Sequence, residues 1–182
     1  MQCSANSLLK PGAAESLVTS LDEYPVGYDE VFLAVGRNLA KNGTGGKVDL
    51  AALVFWKHIQ NSPWMKTFLV CPETDVRKAT AAALAPGLTD GERITALASL
   101  PGFRRGGPVT STLFAAWNPR KYGVWDKRVK DAREGFVGSQ CSCDWRDLPT
   151  YWEHLRRLAR ELSAKGNRRW TPRMVDQAMF KV

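Results

Sequence analysis

Asp126 is a lone carboxylate among aromatics and cations, in the run Tyr122-Gly123-Val124-Trp125-Asp126-Lys127-Arg128-Val129. An anion beside a centre that develops positive charge stabilises that charge. The same carboxylate can orient or deprotonate an attacking water. An aspartate at a helix start also caps the helix with no chemistry at all, and the two roles can coexist. Upstream, Leu100-Pro101-Gly102-Phe103-Arg104-Arg105-Gly106-Gly107-Pro108-Val109 joins two apolar helical patterns through a glycine-rich, basic hairpin. Gly102, Gly106 and Gly107 permit positive φ and the close approach of another backbone. The following helix opens with unbonded N–H groups and the positive end of its dipole, a favourable place for a phosphate. Arg104 and Arg105 would reinforce that contact. A plain corner between two bundle helices would use the same glycines.

These groups need rigid elements to carry them. Helical spacing predicts helices over Tyr28–Ala40, over Leu50–Gln60 with Asp49 as N-cap, and over Pro72–Leu84. Thr89 and Glu92 form a capping-box pattern that opens Arg93–Leu100. Val109–Trp117 follows the hairpin and is closed by Asn118-Pro119. Arg128–Glu134 continues a helix begun near Asp126. Leu148–Ala164 carries Trp152, Leu155, Leu158 and Leu162 on one side. Thr171-Pro172 opens a last helix through Phe180. Residues 1–26 mix small and polar types with Pro11 and Pro25, and read as a poorly ordered arm. No segment alternates as a strand does, so the expected class is all-α, with one helical domain over 27–182 and the hairpin unit at 93–117.

The 182 residues suffice for one packed domain, or one domain with two lobes, and 44% hydrophobic with 24% charged residues marks a globular chain. No apolar run approaches the roughly 18 residues of a membrane span, and the first residues lack the order of a signal peptide. A soluble, cytoplasmic protein is expected. The net charge of +8 is uneven: residues 1–99 hold 9 basic and 10 acidic groups, residues 100–135 hold 8 and 3, and residues 136–182 hold 9 and 5. An excess that begins at the hairpin points to a polyanion, since each neutralised phosphate releases a counterion. A solubilising surface explains the same charge. Cys141-Ser142-Cys143 lacks the second pair or histidines of a zinc site, and Cys3 and Cys71 are distant, so neither metal nor cofactor is expected.

The hairpin and the Val124–Val129 run together resemble the helix-hairpin-helix DNA glycosylases, most closely bacterial proteins akin to 8-oxoguanine glycosylases. Asp49 to Leu53 with Trp56-Lys57, and Thr171 to Ala178, are similar to the same group. The resemblance implies a two-lobed helical bundle in which Gly102, Phe103, Arg104, Arg105, Gly106 and Gly107, with Lys127 and Arg128, hold duplex DNA. A damaged base is flipped out of the helix, and Asp126 supports cleavage of its N-glycosidic bond. It also implies a monomer associated with the nucleoid, and a structural monovalent cation on the hairpin carbonyls. Members that also cut the strand carry a Schiff-base lysine at the start of the helix after the hairpin. Here that stretch reads Gly106-Gly107-Pro108-Val109-Thr110, which points to simple hydrolysis. The hairpin is longer than usual at Arg104-Arg105.

Aromatic candidates for stacking a flipped base are Phe55, Trp56, Trp64, Phe68, Trp125, Trp145, Trp152 and Trp170. Trp125, beside Asp126, and Trp56 are the pocket candidates, although helical spacing explains most of the others as core. His58 and His154 fall on predicted helices and read as packed or surface residues. Two rival readings remain: a DNA-binding module without enzymatic activity, and a bundle whose basic face meets an acidic protein.

Overall fold

A computed structural model of the chain describes residues 7–59, 63–103, 106–138 and 147–181. It is all-helical: ten α-helices and one 3₁₀ turn, with no strand beyond an isolated bridge between Leu9 and Val137, among the described residues. The chain divides into two compact units, Val26–Asn118, and Met1–Pro25 with Pro119–Val182.

The contiguous unit opens with the 3₁₀ turn Val26–Asp29 and continues through α2 (Glu30–Asn42), α3 (Lys47–Trp56), α4 (Trp64–Val70), α5 (Glu73–Leu84), α6 (Asp90–Leu97) and α7 (Pro108–Trp117). α7 is its axis: every residue from Val109 to Ala116 is buried, as expected of a helix apolar all round. α2 lies against α7, with Phe32, Val35 and Leu39 buried on its inner side. Gly36 lets the Ala116 carbonyl approach where any Cβ would collide. Arg93 of α6 donates to the Ala83 carbonyl (2.7 Å) and lies 4.9 Å over the Trp117 ring, tying α6 to α5 and α7.

Two sequence expectations change here. Asp49 is not the N-cap of α3. The helix starts one turn earlier at Lys47, and Asp49 reaches back to accept the Gly46 N–H (2.8 Å). α4 was not predicted at all. Seven residues give too little periodicity to read, and the helix is held by Phe68 in the core.

The second unit contains α1 (Ala13–Asp22), α8 (Lys127–Phe136), α9 (Leu148–Lys165) and α10 (Pro172–Lys181). α10 is packed by α1, α8 and α9. The expected arm over 1–26 is, from Ser7 onward, a built part of this unit. Leu9, Ala13 and Leu17 are all buried: Ala13 and Leu17 lie one turn apart on the inner face of α1, and Leu9 precedes the helix in the bridge to Val137. Lys10 N–H donates to Phe136 O (2.9 Å) and Gly138 N–H to Leu8 O (3.0 Å), which pins the stretch before α1 to the end of α8. The α9 stripe is as expected, with Trp152, Leu155, Leu158 and Leu162 all in the core.

Candidate functional site

The turn between α6 and α7 is built from short-range bonds. Leu100 N–H donates to Leu97 O (2.9 Å), Phe103 N–H to Leu100 O (3.1 Å) and Gly106 N–H to Phe103 O (3.2 Å). Gly102 and Gly106 take the left-handed conformation, φ +87° and +57°, which costs other residues about 1–2 kcal/mol. Gly102 is also needed for space, because a Cβ there would stand 2.6 Å from the Trp64 ring. Gly107 differs from expectation. It is extended (φ −116°, ψ −158°) and open around its Cα, so its glycine freedom is unused. Phe103 is fully buried, so its side chain anchors the turn from inside and does not face a ligand. Arg104 and Arg105 lie outside the described residues.

Pro108 at the first position of α7 has no N–H to lose. The Val109 and Thr110 N–H groups sit in the first turn, where no intrahelical acceptor exists. The Leu97, Leu100 and Phe103 carbonyls each accept one turn bond and keep a second lone pair. The monovalent cation expected at the hairpin would take backbone carbonyls of this kind.

A separate candidate group lies in the other unit. Asp126 is the N-cap of α8, with extended backbone and its Oδ1 accepting the Arg128 N–H at 2.8 Å. The capping role is thus real, and the residue remains half-buried. Lys127 and Arg128 are exposed in the first turn of α8. Cations there oppose the helix dipole, at a cost of about 0.3–1 kcal/mol each. α1, α2, α3, α5 and α6 place an acid in their first turn, whereas α4, α7, α8, α9 and α10 do not. Arg128 also lies 5.0 Å over the Phe180 ring.

The residues before Asp126 are clamped. Val124 N–H donates to Asp176 Oδ2 (2.6 Å), Tyr151 Oη donates to Val124 O (2.7 Å), and Trp152 Nε1 donates to Gly123 O (2.9 Å). Gly123 has no room for a side chain, since a Cβ would meet Leu155, Asp176 Oδ2 at 2.6 Å and the Pro172 carbonyl. Asp176 is buried and paired with buried Arg173, whose guanidinium also donates to Tyr24 Oη (3.2 Å). Burial, followed by the Asp176 charge, raises the Tyr151 hydroxyl well above its ordinary value; Arg173 opposes this and Asp126 adds a smaller push. Tyr151 therefore keeps its proton and stays a donor.

Trp125 is half-buried, its ring 5.3 Å from that of Tyr151. It retains an exposed part, as a stacking residue must. Trp56 does not. It is core, 4.8 Å from the Phe32 ring and 5.8 Å from Tyr28, with Nε1 donating to Tyr28 O (3.0 Å). Its expected pocket role is corrected, since the apolar face of α3 already accounts for it. Trp152, Trp170 and Phe68 are also core, whereas Phe55 is 71% exposed. His58 sits just past α3 at φ +55°, and His154 is buried in α9. Trp145, Cys3, Cys141 and Cys143 lie outside the described residues. Cys71 is a half-buried free thiol at the end of α4.

Sequence reading missed Asp176, Arg173 and Tyr151 as supports of the segment before Asp126, and named Trp64 only as a stacking candidate, not as the neighbour of Gly102. The one signal was Arg173 and Asp176 standing three apart on a predicted helix, a spacing at which side chains meet. No family model, curated protein or solved structure matches the chain.

Proposed function

We propose that the chain binds duplex DNA and hydrolyses the N-glycosidic bond of a damaged base. The sugar carbon–nitrogen bond breaks and the base leaves with the electron pair. Asp126 stabilises the positive charge that builds on the sugar and takes a proton from the water that adds there. Trp125 offers its exposed ring to the base. The turn at 98–107 and the start of α7 take the phosphates. One observation carries this reading: Lys127 and Arg128 stand in a helix turn whose dipole disfavours them, beside a half-buried carboxylate on a clamped segment. Such a break of a local rule is expected where a site needs those charges. No helix among the described residues is long and apolar enough to cross a membrane.

Binding without chemistry is favoured by one feature, the use of Asp126 Oδ1 as a cap. Single-turnover assays separate the two readings. Duplexes would carry 8-oxoguanine, hypoxanthine, uracil or alkylated purines, with alkali treatment to reveal abasic sites. Release from one lesion is expected, abolished by Asp126→Asn with DNA affinity retained. Silence on all lesions, with tight salt-sensitive binding, selects the binding-only reading. No affinity at physiological salt rejects both.

A further inference from the structure

Non-helical segments at a protein surface ordinarily give their backbone groups to water. Residues 122–124 do not. Tyr122 and Val124 are buried, and the Gly123 carbonyl and both Val124 peptide groups are held by side chains of two other helices. One of these is half of a buried ion pair, an arrangement that stabilises a fold no better than apolar packing of the same volume. The Val124 peptide groups are gripped at both ends, the N–H by Asp176 and the carbonyl by Tyr151, two residues before Asp126. The Tyr151 ring also packs on Trp125, the residue between them.

We propose that Tyr151 and Asp176 are positioning residues, which hold the backbone at Val124 so that the Asp126 carboxylate stands fixed where charge develops on the sugar. This rests on Asp126 acting as proposed above. A carboxylate held from its backbone needs no reorganisation during the reaction, and a displacement of about 1 Å can cost 100-fold in rate. Arg173 acts behind them by orienting Asp176, and Tyr24 by bonding Arg173.

The test measures single-turnover base release and DNA affinity separately, on the full chain, for wild type, Tyr151→Phe and Asp176→Asn. Tyr151→Phe keeps the ring and removes one hydrogen bond, so it stays available if Asp176→Asn fails to fold. The expected result for folded variants is a fall in rate of about 10- to 100-fold, with the dissociation constant for DNA changed less than about twofold. A structural role alone would lower the rate only in proportion to the folded fraction. Wild-type rates in the folded variants, or equal losses of rate and affinity, overturn the positioning role and leave the proposed function standing. No release by the wild-type protein from any lesion removes both.

Discussion

Residues 98–103 and Gly106 hold their shape with backbone bonds that span three residues, while residues 123–124 are held by side chains 27, 29 and 52 residues away. Both lead into a helix start, the turn before α7 and Asp126 before α8. In the first, the shape is intrinsic: two left-handed glycines and a proline set most of it, and Trp64 braces it. In the second, the segment has almost no local means of staying put, so its geometry belongs to α9 and α10. A self-supporting turn tolerates changes elsewhere. A clamped strip inherits the fate of its clamps.

That contrast can be broken in order of expected effect. Asp176→Ala leaves Arg173 buried without its carboxylate and orphans the Val124 N–H. Removing one partner of a buried pair costs about 3–5 kcal/mol. Denaturation with a probe in α9 or α10 should show this loss, while hydrogen exchange at the 98–107 amides stays as in wild type. Equal loosening of the turn would refute the division.

The clamp's unit also carries an acid-sensitive group. Burial, then the Arg133 and Arg157 charges, lowers the buried His154 to about 4 from its ordinary 6.5. The unfolded chain therefore binds this proton first as pH falls. His154's contribution to stability is complete above pH 6.5 and is lost progressively down to about pH 4. A shift of that size corresponds to about 3 kcal/mol. Unfolding measured across this range should show the slope, and His154→Leu should flatten it whatever it does to absolute stability.

In the turn, Gly102→Ala forces a side chain into the left-handed region and against Trp64. The expected cost is about 2–3 kcal/mol. Trp64→Leu should recover part of it in a double-mutant cycle, because space is only half of the penalty. Full additivity would show that Trp64 is no brace. The smallest effect is at the entry to α6. Thr89 accepts the Glu92 N–H (3.3 Å), and the Glu92 carboxylate accepts from the Thr89 hydroxyl (2.7 Å) and then the Thr89 N–H (2.7 Å), which hold it below its usual value. Thr89→Ala should cost about 1 kcal/mol in thermal unfolding.

What could be read from the sequence follows the same division. The Thr89–Glu92 box, Pro108 at the start of α7, the Asp126 cap and the α9 stripe are all set within one or two helical turns. Each is present in the structure. Trp64 against Gly102, and Asp176 and Tyr151 on Val124, are products of tertiary packing. No local pattern contains them. α1 is an intermediate case. Its buried residues Ala13 and Leu17 stand one turn apart in the sequence, but beside Pro11 and small polar residues they make too short a pattern to read. Trp56 failed as a pocket candidate for the opposite reason, since its helical spacing already assigned it to the core. Gly107 shows that a glycine's freedom can go unused.

The unit that carries Asp126 is assembled from both ends of the described chain, with residues 26–118 between its two parts. α1 leaves the ribosome before the other described helices and packs against α10, which follows them. The intervening unit has all its helices before either partner of the clamp, α9 or α10, has been translated. Domains fold as units while synthesis proceeds. The turn can therefore form on the nascent chain, while the clamped carboxylate must wait for its final helix, and a chain truncated before α10 would carry the turn without a positioned Asp126.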